Sequence, residues 1–455
     1  MMTRWFVLLA ILPALAACAT SAPAPVHPDI EARAPADWRT FAPADAPRLL
    51  GWSDIADTEL TNLLEQALDN NPDIQSLALA RDAARIGIRD AEAARRPGVT
   101  VSGPNAGVSD SNGGSASFAS LAVAASYELD FWGRLAAGVR QQELALETAG
   151  DSLLTARIGL AADIALTYYD IRTQDALLQL RAEQLELLEQ RRTLQDVRLE
   201  AGAITRLDLD QLDVEILRLR STIEDARARR ALSEQRLAAL IGEVPQSFSL
   251  APVTFEPGAI LRLAPGMPAE VLVVRPDIRN AERGLERADI SVHLARTAFY
   301  PSFGLSANGR YASSDLIEFL DGTTSWSAAA DMTTVLFSNG SRRRNLERAQ
   351  IGAERAVLAW RSAVLSALTD VENALLVQDS NLRQIDITAR QLDAQVRVTR
   401  AVETRYDAGT ASMFELIGER QREIALREQR IRNWQQGLAA TIELLRALAA
   451  DPADG

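Results

Sequence analysis

Apolar residues recur every seven positions over four long stretches of the chain. Ile417, Ile424, Ile431, Leu438 and Leu445 form one row, and Leu209, Ile216 and Ile223 form another with Leu212, Leu219 and Ala226 interleaved. Leu368, Leu375, Leu382 and Val396 fit the same spacing, as do Ile164, Ile171, Leu178 and Leu185. A sustained repeat of seven, with glutamate and arginine on the other faces, predicts coiled-coil seams between long helices. Residues 135–200 and 342–407 contain no proline, and at 1.5 Å rise per residue each stretch makes a helix of about 100 Å. Each is followed, past Ala201-Gly202 or Ala408-Gly409, by a second helical stretch of about 40 residues. Glycine suits the left-handed backbone at a helix C-terminus, so Gly202 and Gly409 mark the tips of two antiparallel helical hairpins.

Elsewhere the period drops to two. Leu121, Val123, Ala125, Tyr127 and Leu129 alternate with small or polar residues, as do Phe303, Leu305, Ala307, Gly309 and Tyr311. This predicts strand pairs at about 99–130 and 302–337, with turn residues at 110–114 and 321–322. Weak alternation with many small residues is the pattern of strands in an outer-membrane barrel.

The two sets of elements are copies of one plan. Asn71-Pro72-Asp73-Ile74 returns as Arg275-Pro276-Asp277-Ile278 and Pro97 as Pro301, an offset of 204. Arg198-Leu199-Glu200-Ala201-Gly202 returns as Arg405-Tyr406-Asp407-Ala408-Gly409, an offset of 207. An ordered series of landmarks at nearly one offset indicates a duplicated half of about 200 residues. The expected organisation is a first repeat over 51–250 and a second over 251–455. Each holds a helix opening at a proline, a strand pair and a helical hairpin, with tips near 202 and 409.

The N-terminus sets the compartment. Arg4, the apolar run Trp5–Ala16 and the small residues before Cys18 have the layout of a secretory signal over 1–17. Leu15-Ala16-Ala17-Cys18 resembles the bacterial lipoprotein box, which implies that Cys18 is lipidated and becomes the mature N-terminus. Ala19 beside it points to the outer membrane by lipoprotein sorting habits. The proline-rich stretch 18–50 reads as an extended arm from lipid to body.

Composition removes other classes. The 455 residues carry a net charge of −13, which makes nucleic acid a poor partner. All 48 basic residues are arginine, with no lysine. Two histidines, His27 and His293, and the single Cys18 offer too few soft ligands for a metal site and no intrachain disulfide. There is no nucleophile motif or phosphate-binding loop, so neither an enzyme nor a cofactor is expected. Outside the signal no apolar run reaches the roughly 20 residues of a membrane helix, leaving strands in a closed barrel as the way across. Four strands cannot close one. Three copies would supply twelve, and the long helices would continue the barrel as a tube.

The chain resembles the TolC/OprM-type outer-membrane efflux proteins, in the NodT-like lipoprotein branch that serves RND pumps, over its whole length. The resemblance is carried by Trp38, by Asn70-Asn71-Pro72-Asp73, and by Tyr127–Leu135 at the first strand-to-helix junction. Arg275–Ile278, Ala298–Phe303 and Arg405–Gly409 carry it in the second half. It implies a mainly α protein with membrane β. Three chains form a twelve-stranded β-barrel continuous with a coiled-coil helical barrel. It further implies a passive exit duct for small molecules such as drugs, a periplasmic adaptor docking at Ala201, Gly202, Ala408 and Gly409, and an inner-membrane pump of RND type. By the same resemblance Asp208, Tyr406 and Glu415 lie at the periplasmic aperture or gate. Ala411 and Gly418 depart from the family pattern there. A duct for type I secretion or metal efflux is the nearest alternative, and a periplasmic adaptor lipoprotein a more distant one.

Overall fold

The computed structural model describes residues 35, 37–39, 51–52, 55–111, 114–253, 258, 260, 268–313 and 322–452. The signal segment, Cys18 and nearly all of the arm lie outside them. The first repeat holds α1 (Thr58–Asn70), α2 (Pro72–Ala93), β1 (Gly98–Ser111), β2 (Gly114–Leu129), α3 (Arg134–Glu200) and α4 (Arg206–Leu240). The second holds α5 (Pro268–Val274), α6 (Pro276–Thr297), β3 (Ser302–Ser313), β4 (Thr323–Thr333), α7 (Ser341–Asp407) and α8 (Met413–Ala447). Helices α3 and α7 both have 67 residues, and α4 and α8 both have 35. The repeat therefore extends to element lengths. Strand β4 stops at Thr333, and Thr334–Phe337, expected to continue it, leads instead into a turn where Asn339 and Gly340 take φ of 50° and 73°.

The chain forms two compact units, each drawing on both repeats. The first comprises described residues of 78–151 and 279–363, and the second described residues of 29–77, 152–278 and 364–455. In the first unit β1–β4 make an antiparallel sheet in sequential order, with β1 and β4 as its edges. The inner pair β2 and β3 runs in register from Ala119 opposite Ser313 to Leu129 opposite Phe303. At the sheet's end Asp130 accepts from the amides of Leu135 and Ala136, at 3.1 and 2.8 Å, and so starts α3. Trp132 stacks on Tyr300 and donates to the carbonyl of Pro301 at 2.7 Å. Further on, α3 and α6 are bound by an ion ladder. Arg140 grips Glu286 through two bonds of 2.6 and 2.9 Å. Arg283 donates to Glu147 at 2.8 Å and pairs with Asp151, which also meets Arg279 at 2.9 Å.

In the second unit the seam residues of α4 and α8 fall where the period of seven puts them, while α3 contributes Ala176, Leu177, Leu180, Leu187 and Leu188, which lie outside its row of seven. Leu188, Leu212, Ile216, Leu219 and Ile223 are one buried cluster, flanked by Leu178 and Leu185, and lock α3 to α4. Ala176, Leu177, Leu180, Leu187, Ile424 and Ile431 are a second, and lock α3 to α8. Helix α3 thus serves two partners and buries two faces. Beside these seams lies a charged cluster with little access to water. The side chains of Arg172 and Asp175 are 3% and 4% exposed, and Asp175 also pairs with Arg230. Arg172 pairs with Glu59 and donates to the carbonyl of Ala251 at 2.7 Å. Tyr168 donates to Asp57, the N-cap of α1, at 2.6 Å. Burial and the neighbouring Asp57 carboxylate push the Tyr168 hydroxyl well above its ordinary pKa, and burial pushes Tyr169 up to about 12. These contacts pin the start of α1 and the segment around Ala251 onto α3.

Candidate functional site: the hairpin tips

Both hairpins turn by the same device. Gly202 at φ 70° and Gly409 at φ 72° follow α3 and α7. In the first, the amides of Ala203 and Gly202 return to the carbonyls of Arg198 and Leu199, at 2.8 and 2.9 Å. In the second, Thr410 and Gly409 return to Arg405 and Tyr406 at the same distances. This is a glycine-terminated helix end of the Schellman kind, and Ala201, Gly202, Ala408 and Gly409 form its exposed crest.

The next helix starts alike in both. Asp208 and Glu415 are equivalent under the offset of 207, each the third residue of its helix. Asp208 turns inward on its own cap, accepting from the Thr205 amide at 2.9 Å and the Thr205 hydroxyl at 2.7 Å. Those two donors, the hydroxyl first, hold its carboxyl below the usual aspartate range. At the second tip Ser412 instead accepts from the Glu415 amide at 3.1 Å. This leaves the Glu415 carboxylate to Arg405, at 3.0 Å. Tyr406 is 40% exposed, and among the described residues no hydrogen bond joins Asp208, Tyr406 and Glu415 to one another.

One contact between the two tips is a pair that sequence patterning does not single out. The Arg198 guanidinium, at the end of α3, lies 4.9 Å from the centre of the Phe414 ring at the start of α8. Arg198 corresponds to Arg405 in the repeat, so the two arginines part ways: one pairs with an acid of its own hairpin, the other stacks on the neighbouring one. The offset of 207 could have exposed the difference, since Phe414 stands where the first hairpin has Leu207.

Among the described residues no three His, Cys, Asp or Glu side chains are grouped to hold a metal ion. No described helix is long and apolar enough to cross a membrane, a fact that says nothing of a β-barrel.

The family model for outer membrane efflux proteins matches residues 63–243 and 267–450, both repeats in turn. The chain belongs to the outer membrane efflux protein family. It is 29% identical over 328 residues to the cation efflux system protein CusC of Escherichia coli O6:H1, covering 71% of this chain and 68% of CusC. It is 32% identical over 322 residues to the solvent efflux pump outer membrane protein SrpC of Pseudomonas putida, covering 65% and 64%. A crystal structure of a membrane protein from Pseudomonas aeruginosa superposes with a TM-score of 0.82 at 26% identity, over 95% of this chain and all of that one. Members of this family are outer-membrane efflux channels, transporters rather than enzymes, and this chain is an outer-membrane exit duct of an efflux system.

Proposed function

We propose that three copies of this chain close into one duct, the exit stage of a tripartite efflux assembly. The observation that carries the reading is the open sheet: β1 and β4 are edges, each paired on one side only. Unpaired backbone groups are not tolerated in hydrocarbon, and closure on further copies is what removes them. Val99 and Val101 on β1 and Trp326 and Met332 on β4 are 67%, 66%, 84% and 61% exposed in the single chain. Apolar side chains in that setting suit lipid or a neighbouring copy.

In this reading the crests at Ala201-Gly202 and Ala408-Gly409 dock a periplasmic adaptor, and an inner-membrane pump of RND type supplies the energy. Asp208, Tyr406 and Glu415 lie around the periplasmic aperture, where three copies of each carboxylate favour cations over anions. Cys18 bears the lipid anchor. The cargo is a small molecule. CusC and SrpC are named for cations and for solvents respectively.

Light scattering of the detergent-purified protein with negative-stain imaging tests the closure. A trimeric rod is the expected result. A monomer would leave the sheet edges open and overturn the reading.

A further inference from the structure

The two turns that lead from the sheet into the long helices are copies that have diverged. Gly133 and Gly340, equivalent under the offset of 207, take φ of 70° and 73° just before α3 and α7. In the first turn Asp130 caps α3, and Leu135-Ala136-Ala137 follow. In the second, Phe337 stands in the place of Asp130, and Arg342-Arg343-Arg344 in the place of those three apolar residues. The second turn is also longer, spanning 334–340 where the first spans 130–133.

Its side chains are of two kinds. Leu336 and Phe337 are 93% and 83% exposed. Residues 334–346 hold three arginines and no acid, in a chain whose net charge is −13. Two of the arginines brace the turn. Arg342 donates to the carbonyls of Val335 and Ala298, the latter at 3.0 Å, and lies 5.7 Å from the centre of the Phe299 ring. Arg344 donates to the carbonyl of Asn339 at 2.9 Å. The Arg343 side chain is 84% exposed, with Glu347 at 3.7 Å. A turn that only redirected the chain would need neither kind, as the one at Gly133 shows. Large apolar groups beside exposed cations suit the boundary of a bilayer, where hydrocarbon takes the first and phosphate the second.

The sheet puts the turn at that boundary. Leu129, Phe303 and Met332 are opposite one another and form the last row of its apolar face, with Phe131 packed edge-on against Phe303 at 5.0 Å. Glu128 and Asp331 lie one residue further in, on the opposite face, either side of Gly304. Past this row the chain enters the long helices, which in an outer-membrane efflux channel extend into the periplasm. The turn therefore stands at the periplasmic edge of the apolar band.

We propose that residues 334–344 are a membrane-interface site for anionic phospholipid. Leu336 and Phe337 enter the acyl chains, and Arg343, with Arg342 and Arg344 beside it, takes the headgroup phosphate. A guanidinium offers paired N–H groups to phosphate oxygens. Three cations with no acid inside the turn favour a headgroup of net negative charge over a zwitterionic one. A soluble acidic polymer would match the arginines but would leave Leu336 and Phe337 in water. The site lies within one chain. It rests on the reading of the sheet as membrane-spanning and not on closure by further copies.

Two measurements test its two halves. The detergent-purified protein is titrated with phosphatidylglycerol and, separately, with phosphatidylcholine, and bound lipid is counted by native mass spectrometry. The first phosphatidylglycerol should bind more tightly than phosphatidylcholine, and Arg343→Glu should weaken it at least about fivefold. No preference in the parent, or an unchanged affinity in the variant, would overturn the site. For the apolar half, Phe337→Cys in a Cys18→Ser chain carries a nitroxide in vesicles of the two lipids. Relaxation by oxygen in preference to a water-soluble nickel chelate is expected. Preference for the chelate would put residue 337 in water, access to neither would put it under protein, and each overturns the proposal. Light scattering on the same samples reads closure separately. A trimer that fails the lipid tests loses the site and keeps the duct, whereas a monomer that passes them keeps the site and loses the closure.

Discussion

The Arg275 guanidinium donates to the carbonyl of Ala447 at 2.7 Å, where the last turn of α8 runs out of amide partners. Its counterpart Asn71 does the same for α4, donating to the carbonyl of Leu240 at 2.8 Å. Leu240 and Ala447 are themselves related by the offset of 207. Two different side chains thus keep one function through the duplication: each joins the end of a long hairpin to the start of the next helix. Asn71 has a second task, accepting from the amides of Asp73 and Ile74 at 2.9 and 3.2 Å. Asn71→Ala removes both, and is expected to cost about 1–2 kcal/mol. Thermal unfolding of the purified protein against the parent checks this, and an unchanged midpoint would deny the joint any weight.

The same joint predicts an opposite pair of substitutions. Gly242 ends α4 at φ 77°, and Ala449 ends α8 at φ 55°. In both, the amide one residue further on returns five residues, Glu243 to Ala238 at 2.8 Å and Ala450 to Leu445 at 3.1 Å. The left-handed backbone costs alanine about 1 kcal/mol more than glycine. Ala449→Gly should therefore raise stability by about that amount. Gly242→Ala should lower it by more, because a Cβ there would meet the Asn70 carbonyl oxygen at 2.6 Å.

The sequence made the seams easy to see because a coiled coil repeats its demand every seven residues. Ile417, Ile424, Ile431, Leu438 and Leu445 are all buried. The strand pairs were visible for the same reason, with less margin, since small residues alternate on both faces. What periodicity could not assign was partnership. Leu144 and Ile351 look alike in a heptad count, yet one is buried and the other 54% exposed. Only the topology of the sheet, inner against edge, separates them. At the tips, Asp208 and Glu415 share a position but not a partner, because Thr205 and Ser412 cap their helices in different ways.

That difference has a pH signature. The Asp208 carboxyl sits below its ordinary value, held there by the Thr205 hydroxyl and amide. A depressed carboxyl stabilises the fold fully above its unfolded pKa of about 3.9 and loses that contribution as pH falls through the folded value. Below about pH 4 the first turn of α4 should therefore loosen. Thr205→Val should move the loosening to higher pH. Amide exchange over 205–210, corrected for intrinsic rate, is the readout, and identical profiles for parent and variant would refute the role of the cap.

The absence of lysine gives a test of the anchor. If Cys18 is the acylated N-terminus, the mature protein has no primary amine at all, since every other basic residue is arginine or histidine. Protein from outer membranes should then resist an amine-reactive dye even when denatured. A form cleaved at an ordinary signal-peptidase site would take one dye per chain. Dye on the parent protein would sink the acylation of the Cys18 amine.

The contact of Arg198 with Phe414 bears on conduction. The apolar seam between α3 and α8 has Leu187 and Ile424 as its members nearest the tip. Arg198 lies eleven residues beyond Leu187, about 16 Å along the helix, so its contact holds the hairpins well past that cluster. A cation over an aromatic face at an exposed site is worth about 0.5–1 kcal/mol, small against folding but enough to shift a two-state opening by a few-fold in each copy. Arg198→Ala and Phe414→Leu should each raise the open fraction of channels in planar bilayers by that factor. The double variant should go no further than either alone, because both remove one contact. Arg198→Lys should fall between, as a weaker donor to the ring. Conductance that responds to Glu415→Ala but to neither of these would place the clasp at the Arg405–Glu415 pair instead.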